Sequence, residues 1–244
     1  MGKGQAKQSL FKKNIVLTLD LDDTLYEEKT FVESGFREVS HFMHKSFSLP
    51  MEETFSIMID KLNSGRGRIF DDCLEKYEIR NKAFIRKCLS IYRSHTPSIR
   101  LFAEADNFLH RCQEFPIYIV TDGNPIAQHN KLKSLGLYER VKFCYITSRY
   151  GLVHAKPSPY CFMKLCEKEK TIPPYVVYIG DNPHKDFVEI KNLGFKTIRV
   201  LTGPYKDTIA NPEYEAQYQI QSLADITMKF LKTVFENDAK RIKR

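Results

Sequence analysis

The chain lacks the features that mark membrane, secreted and zinc-binding proteins. No apolar run approaches the roughly 20 residues that a membrane-spanning helix needs. The first residues are polar and lack the apolar core of a signal peptide, and Ala6 stands where the myristoylation pattern has Ser or Thr. The 6 cysteines form neither a Cys-x-x-Cys pair nor a zinc-type spacing with histidine. These absences predict a reduced, cytoplasmic protein that does not bind membranes.

Low-complexity segments and internal repeats are also absent from the sequence. With 244 residues, 42% of them hydrophobic and 28% charged, the chain is typical of a globular protein large enough for one domain with a sizeable insertion. The net charge of +8 includes a basic segment at 240–244, which could contact nucleic acid or anionic lipid. We interpret this segment as a solvated helix end, expect no nucleic-acid partner, and expect the positive charge to attract anionic substrates.

The most informative stretch is a strand-like run that leads directly into carboxylates. Residues Ile15–Leu19 are almost all aliphatic or β-branched, which is typical of an inner strand covered on both faces. Asp20 and Asp22 follow and share one face, because alternate residues of an extended segment point the same way. Two ionised carboxylates at close range repel each other unless a cation lies between them or one is protonated. The stretch predicts a metal site, or two acids with different roles, at the carboxyl end of a central strand.

The hydrophobic periodicity changes along the chain and indicates two regions. Helical periodicity dominates 27–99, which we assign to an inserted α-helical domain. Residues 11–26 and 100–244 are assigned to an α/β core, because strands there alternate with crossover helices. The predicted fold is a three-layer, doubly wound parallel sheet that ends in an amphipathic helix at about 223–235. Its later strands are predicted at 117–121, 143–147, 176–180 and 197–200.

Polar signatures follow directly on several of these strands. They are Asp20-x-Asp22, Thr121-Asp122-Gly123-Asn124, Lys156-Pro157, and the run from Gly180 to Asp186. In a parallel sheet the carboxyl ends of the strands lie at one edge. We therefore expect a hydroxyl, backbone amides, a lysine and acidic side chains to meet in one pocket.

These signatures resemble the four motifs of the haloacid dehalogenase-like (HAD) hydrolase superfamily. Asp-x-Asp-x-Thr stands at Asp20–Thr24, Thr at Thr121, Lys at Lys156, and Gly-Asp-x-x-x-x-Asp at Gly180–Asp186. The motifs occur in the family's order, and the resemblance extends from about residue 14 to 200. It implies a Rossmann-like HAD core, and the place and size of the insertion imply the helical-cap phosphatase subgroup, called C1. In such enzymes the cap closes over the core and recognises the leaving group of the substrate.

The resemblance implies a role for each acid. Asp20 is the nucleophile that forms an aspartyl-phosphate, and Asp22 protonates the leaving oxygen and then activates water. The implied cofactor is Mg2+, held by Asp20, the backbone carbonyl of Asp22, and Asp181. Asp186 is expected to orient Lys156 or a metal-bound water. Dehalogenases of the superfamily lack an acid at the position of Asp22, since a halide leaves without a proton, so Asp22 favours phosphoester hydrolysis.

The remaining motifs are expected to bind the phosphoryl group. Thr121, the backbone amides near Asp122 and Gly123, and Lys156 would contact its oxygens and neutralise their charge. The side chain of Asp122 has an alternative interpretation as a cap of the following helix. Residues Arg66 and Arg68 in the inserted domain are candidates for substrate specificity, although a solvated turn is the alternative there.

The combined prediction is a magnesium-dependent phosphatase that acts on a small phosphorylated metabolite. The substrate is expected to be a nucleoside monophosphate, which would make the enzyme a 5'-nucleotidase, or a sugar phosphate. Two alternatives remain open from the sequence: a phosphomutase of the β-phosphoglucomutase type, which shares the same motifs, and a non-catalytic binding protein on a HAD scaffold. The sequence predicts no particular oligomeric state.

Overall fold

A computed structural model describes residues 15–65 and 67–241, with side chains described as far as 236. Residues 11–14 of the predicted core, Arg66 and part of the basic segment at 240–244 therefore lie outside the described residues. The chain divides into two compact units. One contains the chain up to Glu27, Leu101–Gly123 and the chain from Gly136 onward, and the other contains Glu28–Arg100 and Asn124–Leu135.

The first unit is built on a parallel β-sheet. Its strands, in chain order, are β1 (Val16–Leu19), β2 (Ile117–Thr121), β3 (Phe143–Ile146), β4 (Val176–Gly180), β5 (Lys196–Val200) and β6 (Tyr218–Ile220). Within the described residues the sheet has 6 strands in the order β3-β2-β1-β4-β5-β6. Every pairing is parallel, and β1 lies at the centre between β2 and β4. The strands β1, β2 and β4 are buried along their whole length, as expected for strands covered on both faces.

Helices flank this sheet and complete the α/β architecture. They are α5 (Ala103–Arg111), α7 (Tyr160–Glu169), α8 (Val188–Asn192) and α9 (Met228–Arg241), numbered along the whole chain. The apolar side of α7, including Phe162 and Leu165, packs in one cluster with the strand residues Tyr118 and Tyr178. The predicted doubly wound fold of the HAD type is confirmed.

The second unit contains the inserted region. Its helices are α1 (Glu28–Phe47), α2 (Met51–Asn63), α3 (Ile69–Glu75), α4 (Lys82–Ser94) and α6 (Pro125–Ser134). Helix α6 begins as predicted, with Pro125 at its first position and Asn124 accepting hydrogen bonds from the N–H groups of Ile126 and Ala127. The structure groups α6 with this unit, whereas the sequence pattern places it in the predicted core. The role of 27–99 as a cap domain stays a prediction.

Two local features differ from the sequence prediction. Strand β6 was not predicted, because three residues at the edge of a sheet, two of them polar or partly exposed, carry little periodic signal. The last helix begins at Met228 and not at Leu223. Ser222 and Asp225 form a capping box that holds a short 3-10 turn at Leu223–Asp225 instead. Among the described residues, no helix is both long and apolar enough to cross a bilayer.

Candidate active site

The carboxyl end of β1 places Asp20 in a buried position. Its backbone N–H donates a hydrogen bond to the carbonyl of Ile179 at 2.8 Å and so continues the pairing with β4. Its carboxylate accepts a hydrogen bond from the N–H of Leu21 at 2.8 Å. The Asp20 side chain is only 4% exposed, so its charge needs partners other than bulk water.

Lys156 supplies the nearest positive charge. Its Nζ atom lies 2.8 Å from Oδ2 of Asp20 and 2.8 Å from Oδ1 of Asp186, and both ion pairs are buried. It also donates a hydrogen bond to the phenol oxygen of Tyr178 at 3.0 Å. Burial alone would lower the pKa of Lys156, but Asp186 and Asp20 hold it well above its ordinary value. Lys156 is therefore a permanently charged cation in direct contact with the Asp20 carboxylate.

The loop after β4 adds two more acids to the same place. Oxygen atoms of Asp20, Asp181 and Asp186 all lie within 4.8 Å of one another. Gly180 permits this approach, because a Cβ atom there would lie 2.5 Å from Oδ2 of Asp186. Among the described residues, Lys156 forms ion pairs with Asp20 and Asp186, and Lys185 adds a second positive charge that acts on both, so three acids face two ammonium groups. The cluster thus carries a surplus of negative charge when all its acids are ionised.

This surplus is reflected in the pKa values of two acids. Burial, opposed by Lys156 and reinforced by Asp186, raises the pKa of Asp20 to about 6. Burial, together with the charges of Asp186, Asp20 and Asp23, raises the pKa of Asp181 to about 9. A cation bound among these oxygens would favour the ionised forms and lower both values.

The donor set fits a hard divalent cation. Carboxylate oxygens are the ligands that such ions prefer, and the described residues bring three of them together. Both oxygens of Asp186 already have partners: Oδ1 contacts Lys156 and Tyr178, and Oδ2 accepts the N–H of Asn182 at 2.9 Å. Asp20 and Asp181 therefore have more capacity for a metal than Asp186.

The end of β2 and the segment after it bring Thr121, Asp122 and Gly123 to the same edge of the sheet. The Thr121 hydroxyl is buried and has no hydrogen-bond partner among the described residues. Oδ1 of Asp122 accepts hydrogen bonds from the Thr147 hydroxyl at 2.6 Å and from the backbone N–H of Lys156 at 3.1 Å. The Asp122 side chain therefore ties the loops together, and Asn124 caps the next helix. Gly123 adopts a φ of 131°, which favours glycine.

Asp22 is less buried than the other residues of the first motif. It is half-buried, and the phenol of Tyr26 donates a 2.5 Å hydrogen bond to its Oδ1. Asp23 occupies a left-handed turn with φ of 54°, where Gly203 packs so closely that an added Cβ would lie 2.5 Å from Cβ of Asp23. The hydroxyl of Thr202 donates to the carbonyl of Asp23. These contacts hold the turn between Asp20 and Thr24, and Thr24 itself donates to Asp181 at 3.5 Å.

The specificity candidates lie in the helical unit. Arg68 directly precedes α3 and is paired with acids of that helix, at 3.4 Å from Asp71 and 3.0 Å from Glu75. Arg66 lies outside the described residues. The roles assigned to them from the sequence stay predictions.

Two residues near the cluster were not predicted as members of the site. Tyr178 is fully buried in β4 and bonds to both Lys156 and Asp186. Lys185 lies 3.6 Å from Oδ2 of Asp122. A signal for Tyr178 exists in the sequence, since a tyrosine in a buried aliphatic strand needs a partner for its hydroxyl.

Comparisons with known proteins agree with this geometry. The family model described as haloacid dehalogenase-like hydrolase matches residues 17–200. A glyceraldehyde 3-phosphate phosphatase of Methanocaldococcus jannaschii is 29% identical over 220 residues, which cover 86% of this chain and 94% of that protein. A glyceraldehyde 3-phosphate phosphatase of Pyrococcus furiosus is 25% identical, with 86% and 90% of the two chains covered.

Solved structures show the same fold at lower identity. A 2-haloacid dehalogenase from Pseudomonas syringae pv. Tomato DC3000 superposes with a TM-score of 0.62 at 18% identity, covering 92% of this chain and 99% of that one. A HAD phosphatase from Thermococcus onnurineus gives a TM-score of 0.58 at 19% identity, covering 89% and 97%. The recognition from the four motifs is confirmed, and the predicted class of enzyme agrees with the curated relatives. The chain belongs to the haloacid dehalogenase-like hydrolase family.

Proposed function

We propose that the protein is a magnesium-dependent phosphatase that hydrolyses a small sugar phosphate through an aspartyl-phosphate intermediate. The observation that carries the proposal is the buried Asp20 carboxylate, which is held 2.8 Å from Lys156 within a cluster of three acids. The curated relatives act on glyceraldehyde 3-phosphate, a three-carbon sugar phosphate. Of the two substrate classes predicted from the sequence, they support the sugar phosphate over the nucleoside monophosphate. We propose glyceraldehyde 3-phosphate as the first substrate to test.

The first step is attack of the ionised Asp20 carboxylate on phosphorus. A bond forms between the carboxylate oxygen and phosphorus, and the bond between phosphorus and the ester oxygen breaks. With a pKa of about 6, Asp20 is ionised at neutral pH and can act as the nucleophile. Asp22 donates a proton to the departing alkoxide, which requires a carboxyl group that is accessible to substrate, and the half-buried Asp22 is suited to this role.

The second step returns the enzyme to its starting state. Asp22, now ionised, takes a proton from water, and the water oxygen attacks the phosphorus of the intermediate. The bond between phosphorus and Asp20 then breaks and inorganic phosphate leaves. The 2.5 Å hydrogen bond from Tyr26 restrains the Asp22 carboxylate in both steps. Use of one acid in both directions follows from microscopic reversibility.

The other motif residues act by electrostatics and hydrogen bonding. Lys156 neutralises charge on Asp20 and on the transferring phosphoryl group. The buried hydroxyl of Thr121, which has no partner in the described part of the chain, would donate a hydrogen bond to a phosphoryl oxygen. A substrate group at this position would relieve the penalty of a buried, unsatisfied hydroxyl.

Asp20 and Asp181, together with the backbone carbonyl of Asp22, would hold Mg2+. When bound, the ion would neutralise the surplus charge of the acid cluster and polarise the phosphoryl group. Asp186, with both oxygens in use, keeps Lys156 in position. We place the enzyme in a reducing compartment, the cytoplasm, because its cysteines are free and buried.

The test measures phosphate release from glyceraldehyde 3-phosphate, other sugar phosphates and nucleoside monophosphates, with magnesium and with chelator. We expect release from a sugar phosphate that stops with chelator and in Asp20→Asn. Asp207→Asn, at an exposed acid of the same unit, serves as the matched control and is expected to keep full activity. Release that persists with chelator or in Asp20→Asn would contradict the mechanism. Isomerisation without release would indicate a phosphomutase, and binding without turnover would indicate a non-catalytic protein.

A further inference from the structure

Tyr178 is a buried tyrosine whose hydroxyl lies inside the charged cluster. It is on β4, two residues before Gly180, and it is 0% exposed. Its ring packs edge-on against Phe162 at 4.8 Å and lies 6.2 Å from Phe187. A phenylalanine would fill this apolar space equally well. The hydroxyl is therefore the part of the residue that needs a separate explanation.

The hydroxyl completes the hydrogen bonding of Lys156. A lysine ammonium group has three N–H donors and no acceptor. In the structure three acceptors surround Nζ of Lys156: Asp20 at 2.8 Å, Asp186 at 2.8 Å and the Tyr178 oxygen at 3.0 Å. The hydroxyl in turn donates its own proton to Oδ1 of Asp186 at 3.0 Å. Every donor of the ammonium group and the proton of the phenol thus have a partner.

We propose that Tyr178 is a positioning residue that fixes the direction of the Lys156 ammonium group toward Asp20. Within the described part of the chain the hydroxyl bonds to Lys156 and Asp186, so it acts on Asp20 through the lysine and not directly on the reacting atoms. Without it, one N–H of a buried cation loses its acceptor and Asp186 loses one donor. The ammonium group then rotates more freely, and its alignment with Asp20 is poorer at the moment of phosphoryl transfer. The link to turnover rests on the proposed phosphatase reaction.

The chain offers a closely matched control in Tyr118. Tyr118 and Tyr178 lie on the two strands next to β1, and both pair in register with Thr18. Tyr118 is also fully buried, and its hydroxyl also donates to a carboxylate, that of Glu169. Glu169 forms its ion pair with Lys142 and not with residues of the acid cluster. Tyr118→Phe therefore removes the same atom from the same sheet face without removing a contact to Lys156.

The first measurement observes the ammonium group directly and does not depend on turnover. In 15N-selective spectra of lysine ammonium groups, we expect wild type to show a signal with slow exchange with water that is missing in Lys156→Met. In Tyr178→Phe the exchange of this signal should be roughly tenfold faster, because one charged hydrogen bond is lost. In Tyr118→Phe it should be unchanged. Equal exchange in wild type and Tyr178→Phe would overturn the proposal.

The second measurement asks whether the positioning matters for the reaction. With the substrate that wild type hydrolyses, Tyr178→Phe should lower kcat roughly tenfold, equivalent to about 1.4 kcal/mol of barrier, and change KM less than about twofold. Tyr118→Phe should leave both constants within about twofold of wild type. Unchanged kcat in Tyr178→Phe, with altered exchange, would overturn the catalytic part of the proposal. A wild type that hydrolyses no phosphate ester would refute the proposed function, while the exchange spectra would still decide the positioning.

Discussion

Among the cationic side chains that the first unit buries, Lys156 and Arg199 both form ion pairs with acids, and they differ in how their charge is matched. Both side chains are 0% exposed and paired with acids. Arg199, on β5, has Nη1 at 2.7 Å from Glu215 and 3.0 Å from the carbonyl of Thr208, and Nη2 donates to the carbonyl of Tyr205. Its recorded partners are one carboxylate and neutral oxygens. The charges of this pair are balanced.

The Lys156 cluster is not balanced in this way. Its ammonium group contacts two carboxylates, and Asp181 lies within the same group of acids. A structural ion pair needs no further ligand, whereas a cluster with more buried negative charge than positive charge is stable only with protonated acids or a bound cation. The sign and count of the buried charges, and not burial itself, therefore distinguish a candidate reaction centre from a structural ion pair.

The largest effect should come from Lys156→Met. The substitution leaves Asp20 and Asp186 without their cation, so we expect phosphatase activity to fall at least ~100-fold. The free energy of unfolding should fall by about 3–5 kcal/mol at neutral pH, because the remaining charges are buried and unpaired. Phosphate release and urea unfolding at pH 7 check these values. Activity within about threefold of wild type would contradict the role of the lysine.

Arg199→Met should separate stability from activity. Its partner Glu215 is 19% exposed and can regain water, so we expect a smaller loss of about 1–3 kcal/mol in the free energy of unfolding. The specific activity of the folded fraction should be unchanged, since no acid of the cluster contacts Arg199 among its recorded partners. Urea unfolding and active-site titration measure both quantities. A lower kcat in fully folded Arg199→Met would contradict a purely structural role for Arg199.

The acid cluster around Lys156 should also make the free energy of unfolding depend on pH. In metal-free protein, burial raises the pKa of Asp181 to about 9 and that of Asp20 to about 6, above the ordinary value of about 3.9 in the unfolded chain. The folded state then binds more protons than the unfolded state between about pH 4 and 9, so the free energy of unfolding falls as pH rises through this window. Lys156 adds no slope there, because its raised pKa lies above the window.

Asp181→Asn should remove most of the upper part of this slope, with a gain on the order of 5 kcal/mol at pH 8 in metal-free protein. Urea unfolding at pH 5, 7 and 8 in wild type and variant measures the difference. Saturating magnesium should flatten the wild-type curve as well, because bound cation favours ionised acids. A metal-free wild type whose stability rises from pH 5 to 8 would refute the surplus of charge.

The smallest effect is expected for Asp122→Asn. The amide oxygen can still accept hydrogen bonds from Thr147 and the N–H of Lys156, while the charge that forms the 3.6 Å ion pair with the partly exposed Lys185 is lost. We expect less than about 1 kcal/mol in stability and less than about threefold in kcat. Asp122→Ala, which removes the acceptor as well, should be clearly worse in both assays. Equal effects of the two substitutions would show that the charge, and not the acceptor, is what matters.

Much of the core could be predicted because its polar residues follow strong signals. Asp20, Thr121 and Asp181 stand at or directly after the end of a strand, and parallel topology brings such ends together. Lys156 is an exception, because two 3-10 turns, at Thr147–Tyr150 and Leu152–His154, separate it from the end of β3. Tyr178 and Arg199 could not be predicted in this way. Their partners come from other loops, so only the folded chain shows that a strand residue lies in a charged cluster.

Element boundaries and groupings were less predictable for a similar reason. Helix α6 has a clear cap and first proline in the sequence, but its assignment to the helical unit depends on packing between distant segments. Strand β6 is short and lies at the sheet edge, where pairing with β5 and not periodicity defines it. Tertiary contacts decided both features, and local sequence patterns do not encode them.

The surplus of negative charge around Lys156 is tested most directly by the protons released when magnesium binds. With the pKa of Asp181 raised to about 9, this acid is protonated in metal-free protein at pH 7.5 and must lose its proton to bind the ion. Calorimetric titration in two buffers of different ionisation enthalpy should therefore show about one proton released per Mg2+ in wild type. Asp181→Asn should bind more weakly and release almost none. Tight magnesium binding without proton release in wild type would contradict the surplus of negative charge in the acid cluster.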